Sequence, residues 1–391
     1  MLEKLNCYVA KVSIFLVTVA LIAGVAGCDY TPSQNLEIRT WYDLDAVRNN
    51  LRGHHILMND LDSTTDGYEE LASPAANGGR GWQPIGTCLP PNDFRGLTGT
   101  FNGQGYEIRD LFINRPDEDL VGLFGVVNMG GVVKDIGVVN VTVSGNSLVG
   151  GLVGVNVVGT VSNSYSSGNV TGERSVGGLV GENHGTVSNS YSTSSVTGYE
   201  EVVGGLVGYG AGTISNSYAT GSVTGDEGVG GLEGWNYGTV NNSYSTGYVT
   251  GYAGVGGLVG ENLLEGTVSN SYSTGNVTGE DGVGGLVGQN IYGTVSNSYS
   301  TGSVTGSSQV GGLVGQNNKG TVSNSFWDTQ TSEQPTSDSG TGKTTAEMKS
   351  IATFSGAGWD ITAVGNPGTR NPSYTWNIVD GQTYPFLNWQ P

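Results

Sequence analysis

Hydrophobic and polar positions recur along this chain at an interval close to 27 residues. Aligned on the Leu of VGGLVG, the unit returns at Leu152, Leu179, Leu206, Leu232, Leu258, Leu286 and Leu313, with a looser copy, VGLFG, around Leu123. The aromatic of NSY keeps the same interval at Tyr165, Tyr191, Tyr218, Tyr244, Tyr272, Tyr299 and Phe326, and so does the Val of VTG from Val170 to Val304. Each unit reads as three brief segments rich in Val, Thr and Tyr, bounded by Gly or Asn, which is the grammar of short strands and turns. A unit this short cannot bury its own apolar face, so neighbouring units must stack to make a core. Strands stacked in register form parallel ladders about 4.8 Å apart. The expected fold is therefore all-β: a parallel β-helix of about eight to nine coils with small N- and C-terminal caps.

Within the unit, Val187, Asn189 and Tyr191 share one parity and Thr186, Ser188 and Ser190 the other. Since successive strand side chains point to opposite faces, Val and Tyr are expected inside and the hydroxyls outside. Asn recurs in two columns, one running from Asn163 to Asn324, the other through Asn156, Asn183, Asn236, Asn262, Asn290 and Asn317. Stacked amides can hydrogen-bond along such a column. The flanks read as caps, because an open β-helix exposes apolar surface and unpaired backbone at its ends. Thr40 with Asp43, and Thr344 with Glu347, have capping-box spacing for two short helices. Leu44, Val47 and Leu51 form the apolar face of the first, and Trp327, Trp359, Trp376, Phe386 and Trp389 are the expected core of the C-terminal cap. The organisation that follows is a leader over 1–27, a tether and cap over 28–98, the repeat β-helix over 99–327 and a cap over 328–391.

Repeats such as VGGLVGENHGTVSNSYS (176–192) and VGGLVGQNIYGTVSNSYS (283–300) resemble the GLUG motif of bacterial and archaeal surface proteins. So do the lead-in GTFNGQGYEIRDLFI (99–113) and the closing stretch from SFWDTQTSEQ (325–334) to YPFLNWQ. The resemblance implies a β-helical extracellular region. It implies no reaction, because the motif accompanies adhesins, large secreted proteins and peptidases alike.

Composition narrows the alternatives. Of 391 residues 68 are Gly, so helix-rich folds are excluded, and 3 Cys exclude a disulfide-stapled one. The net charge of −19 repels phosphate backbones and argues against a nucleic-acid partner. Lys4 and Lys11 precede an apolar run, VSIFLVTVALIAGVAG (12–27), too short for a permanent span and shaped as a secretory signal. Val25-Ala26-Gly27-Cys28 resembles a bacterial lipobox, which implies cleavage before Cys28, lipid on its thiol, and a secreted protein anchored in the cell envelope.

Candidate chemistry is sparse. SGTGKTT (339–345) lacks the first Gly of a phosphate-binding loop, where Ser337 stands, so no nucleotide is expected. His54, His55 and His184 cannot build the paired-His helix of a zinc peptidase. A polysaccharide lyase or glycosidase needs clustered carboxylates, often with basic partners. Residues 145–325 hold only Arg174 and Lys319 as Lys or Arg. Carboxylates after VTG (Glu173, Glu200, Glu201, Asp226, Glu227, Glu280, Asp281) line one corner, where Ca²⁺ is conceivable and solvated loops are the simpler reading. One departure stands out. The residue after the repeat Leu is Val in six copies but Glu233 in the seventh, and Trp235 follows two residues on, with Tyr209 at the equivalent position one coil below. A ring beside a carboxylate is what a sugar-binding surface uses, so Tyr209, Glu233 and Trp235 are the candidate ligand site. The expected function is a lipid-anchored adhesion or polysaccharide-binding rod, not an enzyme, whose partner is an extracellular glycan or matrix polymer. A carbohydrate-active enzyme and a passive spacer or surface-layer component are the alternatives.

Overall fold

The computed structural model describes residues 35–89 and 93–390, so the leader and Cys28 lie outside the described residues. Four parallel sheets run along one rod. The first has eleven strands, from Leu36–Ile38 through His54–Leu57, Thr100–Asn102, Val132–Lys134 and Thr160–Ser162 to Thr321–Ser323. A sixteen-stranded second sheet carries the Tyr-Ser and Val-Thr segments. The third, of seven strands, runs from Ser147–Gly150 to Ser308–Gly311, and the fourth, of eight, from Phe124–Val127 to Val314–Asn318. Equivalent residues pair coil on coil, as in Val161 with Val187 and Val187 with Ile214. The architecture is a β-solenoid of about eight regular turns, as the period requires.

The stack reaches beyond 99–327 at both ends. Leu36–Ile38 pairs with His54–Leu57, which pairs with Thr100–Asn102, so the first sheet starts inside the N-terminal segment. At the other end Thr341–Lys343 pairs with Phe326–Asp328. Both capping boxes form, Thr40 with Asp43 and Thr344 with Glu347. Leu44 and Val47 are buried in the main core, and Leu51 packs against it.

All seven repeat leucines are fully buried, as are the first-sheet valines Val161, Val187, Val240, Val268 and Val295 and the fourth-sheet valines that meet them, while Val322 on the last coil is partly buried. The inside–outside assignment fails at one point. Asn189 and its equivalents take left-handed backbone, φ 47 to 49°, which breaks the alternation at the bend. Beyond it Ser190 and Ser192 turn inward and are buried, and Tyr191 turns out. The buried serines form their own ladder: Ser164 N donates to Ser190 Oγ, Ser190 N to Ser217 Oγ, and so on to Ser325. The tyrosines stack outside, their centroids 4.7 to 5.0 Å apart and their planes within 6° from Tyr165 to Tyr299.

The second Asn column is an interior amide ladder. Asn156 Nδ2 donates to Asn183 Oδ1, Asn236 to Asn262, Asn262 to Asn290 and Asn290 to Asn317, each at 2.8 Å. The first column instead serves the left-handed bends, where Asn is among the few residues at ease.

The C-terminal segment does not simply cover the end of the rod. Residues 329–343 close it, with Ser337 Oγ accepting from Leu313 N and Val314 N. The remainder folds back along the side and seats on the tyrosine stack. Trp389 meets Tyr218 and Tyr244, Trp376 meets Tyr272 and Tyr299, and Tyr299 Oη donates to Pro385 O at 2.6 Å. Met348, Phe354, Trp359 and Trp376 complete this second core. Trp327 belongs instead to the rod core, and Phe386 is half-buried under the Arg370 guanidinium.

Candidate functional site

The fourth sheet brings Tyr209 and Trp235 into register on adjacent coils, within a column that reads Glu182, Tyr209, Trp235, Glu261, Gln289 and Gln316. These side chains lie over the third sheet. A Cβ at Gly228, Gly254 or Gly282, all at positive φ near 60°, would collide with Trp235, Glu261 or Gln289 respectively. The column thus follows the seam between two sheets, and glycine in the facing strand is what lets it settle there.

Glu233 is not at this site. It is 1% exposed and stands in the valine column, paired with Val207 on one coil and Val259 on the next. It shares parity with Trp235, but the ladder skips the glycine between them, pairing 207 with 233 and 209 with 235. Gly234 between them is tightly packed, since a Cβ there would fall 2.8 Å from Gly228 O and Val203 N. The Glu233 side chain enters the rod toward Gly210, whereas Trp235 lies on the seam over Gly228. Burial pushes the Glu233 carboxyl well above the carboxylate range.

The acid beside the indole is Glu261, one coil on. Burial first, then the carboxylates of Glu227 and Glu201, push it up to about 7, while the Trp235 indole draws it partly back. Tyr237 is near enough for Glu261 to raise its hydroxyl, after burial. Tyr209 meets Tyr237 at 5.4 Å and His184 at 5.8 Å, and His184 Nε2 contacts the Glu182 carboxylate, itself 6% exposed. The seam therefore gathers three aromatic residues, an imidazole and two partly or fully sheltered carboxyls over four coils. Composition by column carried a signal for Glu182 and Glu261, since they flank Tyr209 and Trp235 in the alignment of repeats. Tyr237 follows the ladder residue Asn236 and was not separable from repeat drift.

Other sequence candidates have structural places. His54 and His55 do point apart, and His55 is buried with Nε2 2.9 Å from Asn50 O. Among the carboxylates of the acidic corner, Glu200, Glu201, Asp226, Glu227 and Glu280 are exposed. Among the described residues no group of three His, Cys, Asp or Glu is placed to hold a metal ion. Thr341–Lys343, in the stretch tested as a phosphate loop, is a strand paired to the last coil. Among the described residues no helix is long and apolar enough to cross a membrane.

The GLUG motif matches residues 145–171, 172–197, 199–224, 251–278 and 279–305, so the chain carries five GLUG repeats. A protein of Evansella cellulosilytica named as a Gly-rich membrane protein is 39% identical over 136 residues, 34% of this chain and 14% of that protein. Halomucin of Haloquadratum walsbyi is 31% identical over 156 residues, 39% of this chain and 2% of its own length. The chain thus spans a small part of both curated relatives. Among solved structures, a Bacteroides ovatus protein named as an immunoglobulin A1 protease aligns over 92% of this chain and 94% of its own, at 17% identity and a TM-score of 0.42. A second, named IgA1 Protease, aligns over 74% and 21% at 19% identity and 0.43.

Proposed function

We propose that this GLUG-repeat β-helix is a cell-surface binding rod, held to the envelope by lipid on Cys28, whose seam at Tyr209, Trp235, Tyr237 and Glu261 takes an extracellular glycan. The observation that carries the reading is the seam itself. Indole and phenol rings lie beside a carboxyl pushed up to about 7, so that near neutral pH its protonated and ionised forms are both present, the one able to donate and both able to accept hydrogen bonds with sugar hydroxyls. The absence of Lys or Arg between Arg174 and Lys319, with the net charge of −19, favours neutral or amino sugars over uronates and sulfated chains. The GLUG repeats and the surface-associated names of the relatives support the location.

Trp235→Ala is expected to weaken glycan binding by about 1–3 kcal/mol and to leave the circular dichroism of the rod unchanged. Gln289→Ala, two coils along the same column, is the control and should bind as wild type. A glycan array followed by titration measures both; equal affinities for the two variants would reduce the seam to repeat drift. For the anchor, Cys28→Ala should abolish labelling by a fatty-acid probe and release the protein from the membrane fraction, since stable attachment needs more than one chain.

One observation favours a second reading. Glu261, pushed up to about 7, has the Glu227 carboxylate near enough to raise it, and glycoside hydrolysis uses two carboxyl groups. Release of reducing sugars by wild type and not by Glu261→Gln would make the rod a glycosidase. Neither binding nor release would leave it a spacer.

A further inference from the structure

The tyrosine stack begins with a vacancy. In the second sheet the partner of Tyr165 on the next coil is Tyr191, but on the preceding coil it is Gly137, and beyond that Glu107. The bend that reads Ser-Asn-Ser-Tyr in later coils is here Lys134-Asp135-Ile136-Gly137, with Ile136 buried where serine usually turns inward. Tyr165 has one face against Tyr191 and leans its other over Gly137, where any Cβ would strike the ring. Its hydroxyl donates to the Glu107 carboxylate, which Arg109 also contacts, so the ring is held from its tip. Burial, with Glu107 next, keeps that hydroxyl protonated by raising it above the ordinary phenol range.

Beside this ring lies a depression of about 460 Å³, walled by Tyr165 and rimmed by Asn102, Gln104, Asp135 and Asn163. The rim residues come from the ends of three successive strands of the first sheet, Thr100–Asn102, Val132–Lys134 and Thr160–Ser162. Gln104, Asp135 and Asn163 all have left-handed backbone, φ 49 to 55°, so each marks a bend rather than a strand. Asn163 Nδ2 donates to Asp135 Oδ1 at 2.9 Å and Gln104 Nε2 to Leu57 O at 2.9 Å, which fixes those amides and presents their oxygens as acceptors. The C-terminal lobe covers the stack from Tyr218 onward and does not reach this end.

We infer that this notch is a second binding site, for one neutral sugar residue of a glycan chain, with the edge of the Tyr165 ring as its apolar wall and Asp135, Asn163 and Gln104 reading hydroxyl groups. Three amide side chains and one carboxylate around a ring supply acceptors and donors in the proportion that sugar hydroxyls take up. The volume admits a hexose and leaves the site open for the chain to continue. No Lys or Arg is among the lining residues, the Lys134 ammonium beside them is paired with Asp135 Oδ2 at 3.5 Å, and the strongly negative protein disfavours phosphate, sulfate or uronate there. The site stands on its own observations, at the bend between the first and second sheets, whereas the seam joins the third and fourth.

The test is calorimetric titration of the full-length protein with hexasaccharides of β-1,4-glucan, α-1,4-glucan and chitin, and with oligogalacturonate as the charged comparison. Asn163→Gly keeps the left-handed bend and removes the amide; Tyr165→Leu removes the wall. Each is expected to weaken binding of one neutral oligosaccharide at least tenfold, while Gln289→Ala, away from the notch on the fourth sheet, leaves that binding unchanged. Gln104→Gly, at an exposed bend, serves as a further variant should Tyr165→Leu lower the melting temperature. Binding lost in Trp235→Ala and retained in Asn163→Gly and Gln104→Gly would overturn the notch and leave the seam standing. Preference for oligogalacturonate, or no neutral oligosaccharide bound at a site sensitive to Asn163→Gly, would also overturn it.

Discussion

Leu258→Asp is expected to break the rod in its middle. Leu258 is fully buried in the rod core, in a column with Leu232 and Leu286 on the neighbouring coils, all at 0% exposure. Its N–H donates to Leu286 O at 2.9 Å and its carbonyl accepts from Leu232 N at 2.8 Å, so the backbone cannot swing the side chain out without breaking the coil contact on each side. Removing the leucine side chain alone costs about 2–5 kcal/mol in a packed core. A carboxylate with no partner there adds several kcal/mol more. Within the rod core each coil packs on its neighbours, so the rod behaves as a row of coupled units, and a defect at the fifth of the seven repeat leucines leaves shorter stacks on either side, bridged along the tyrosine stack by the C-terminal lobe. Thermal and urea melts should show a lower, broadened or split transition for Leu258→Asp, with Leu258→Ala losing less. Acidification should return part of the Asp variant's stability by protonating it. Melting within a degree or two of wild type would show that the leucine column is not the core.

What the repeat makes obligatory could be read from the sequence. A period shared by the Leu, Val and aromatic landmarks forces one coil per unit and parallel ladders, and the leucines and the Val187 column lie inside as expected. The readings that failed depend on single backbone angles. Left-handed Asn189 and its equivalents reverse the alternation, so the tyrosines that parity put inside form an outer stack and the serines line the interior. The seat of the C-terminal lobe was equally hidden. Its tryptophans were recognised as apolar, but their partner is a surface that exists only once six tyrosines have been stacked outside. In the candidate site, the register of Tyr209 with Trp235 followed from the period, while the inward turn of Glu233 toward Gly210, away from them, did not. Conversely, the interior amide ladder was visible as a column with one copy missing, and that missing copy turns out to explain Glu233.

The residue absent from the ladder is at position 210, where Gly stands between Asn183 and Asn236. The Glu233 carboxyl enters the space a side chain at 210 would take; a Cβ there would collide with its Oε1. Asn183, deprived of the next amide, makes only long contacts from Nδ2, 3.4 Å to Gly185 O and 3.5 Å to Thr213 O, in place of the 2.8 Å bonds elsewhere. Two irregularities are therefore one, and substitutions at 210 and 233 should not be additive. Gly210→Asn alone is expected to destabilise by about 1–3 kcal/mol through overpacking. In a Glu233→Val background the same change should stabilise, because it restores a continuous amide ladder beside a continuous valine column. The pH dependence follows from burial. The folded-state pKa of Glu233 lies above its unfolded value, so over the interval between them the folded protein holds a proton that the unfolded chain releases. Glu233's contribution is complete below about pH 4 and is lost as pH rises toward the folded-state value. Glu233→Gln should abolish that decline, matching wild type in acid and exceeding it at pH 7 by about 1–3 kcal/mol. Denaturant melts of the four-member cycle, repeated at pH 4 and 7, measure both effects; additive substitutions with a pH-independent difference for Glu233→Gln would mean that the carboxyl is solvated and the gap at Gly210 unrelated to it.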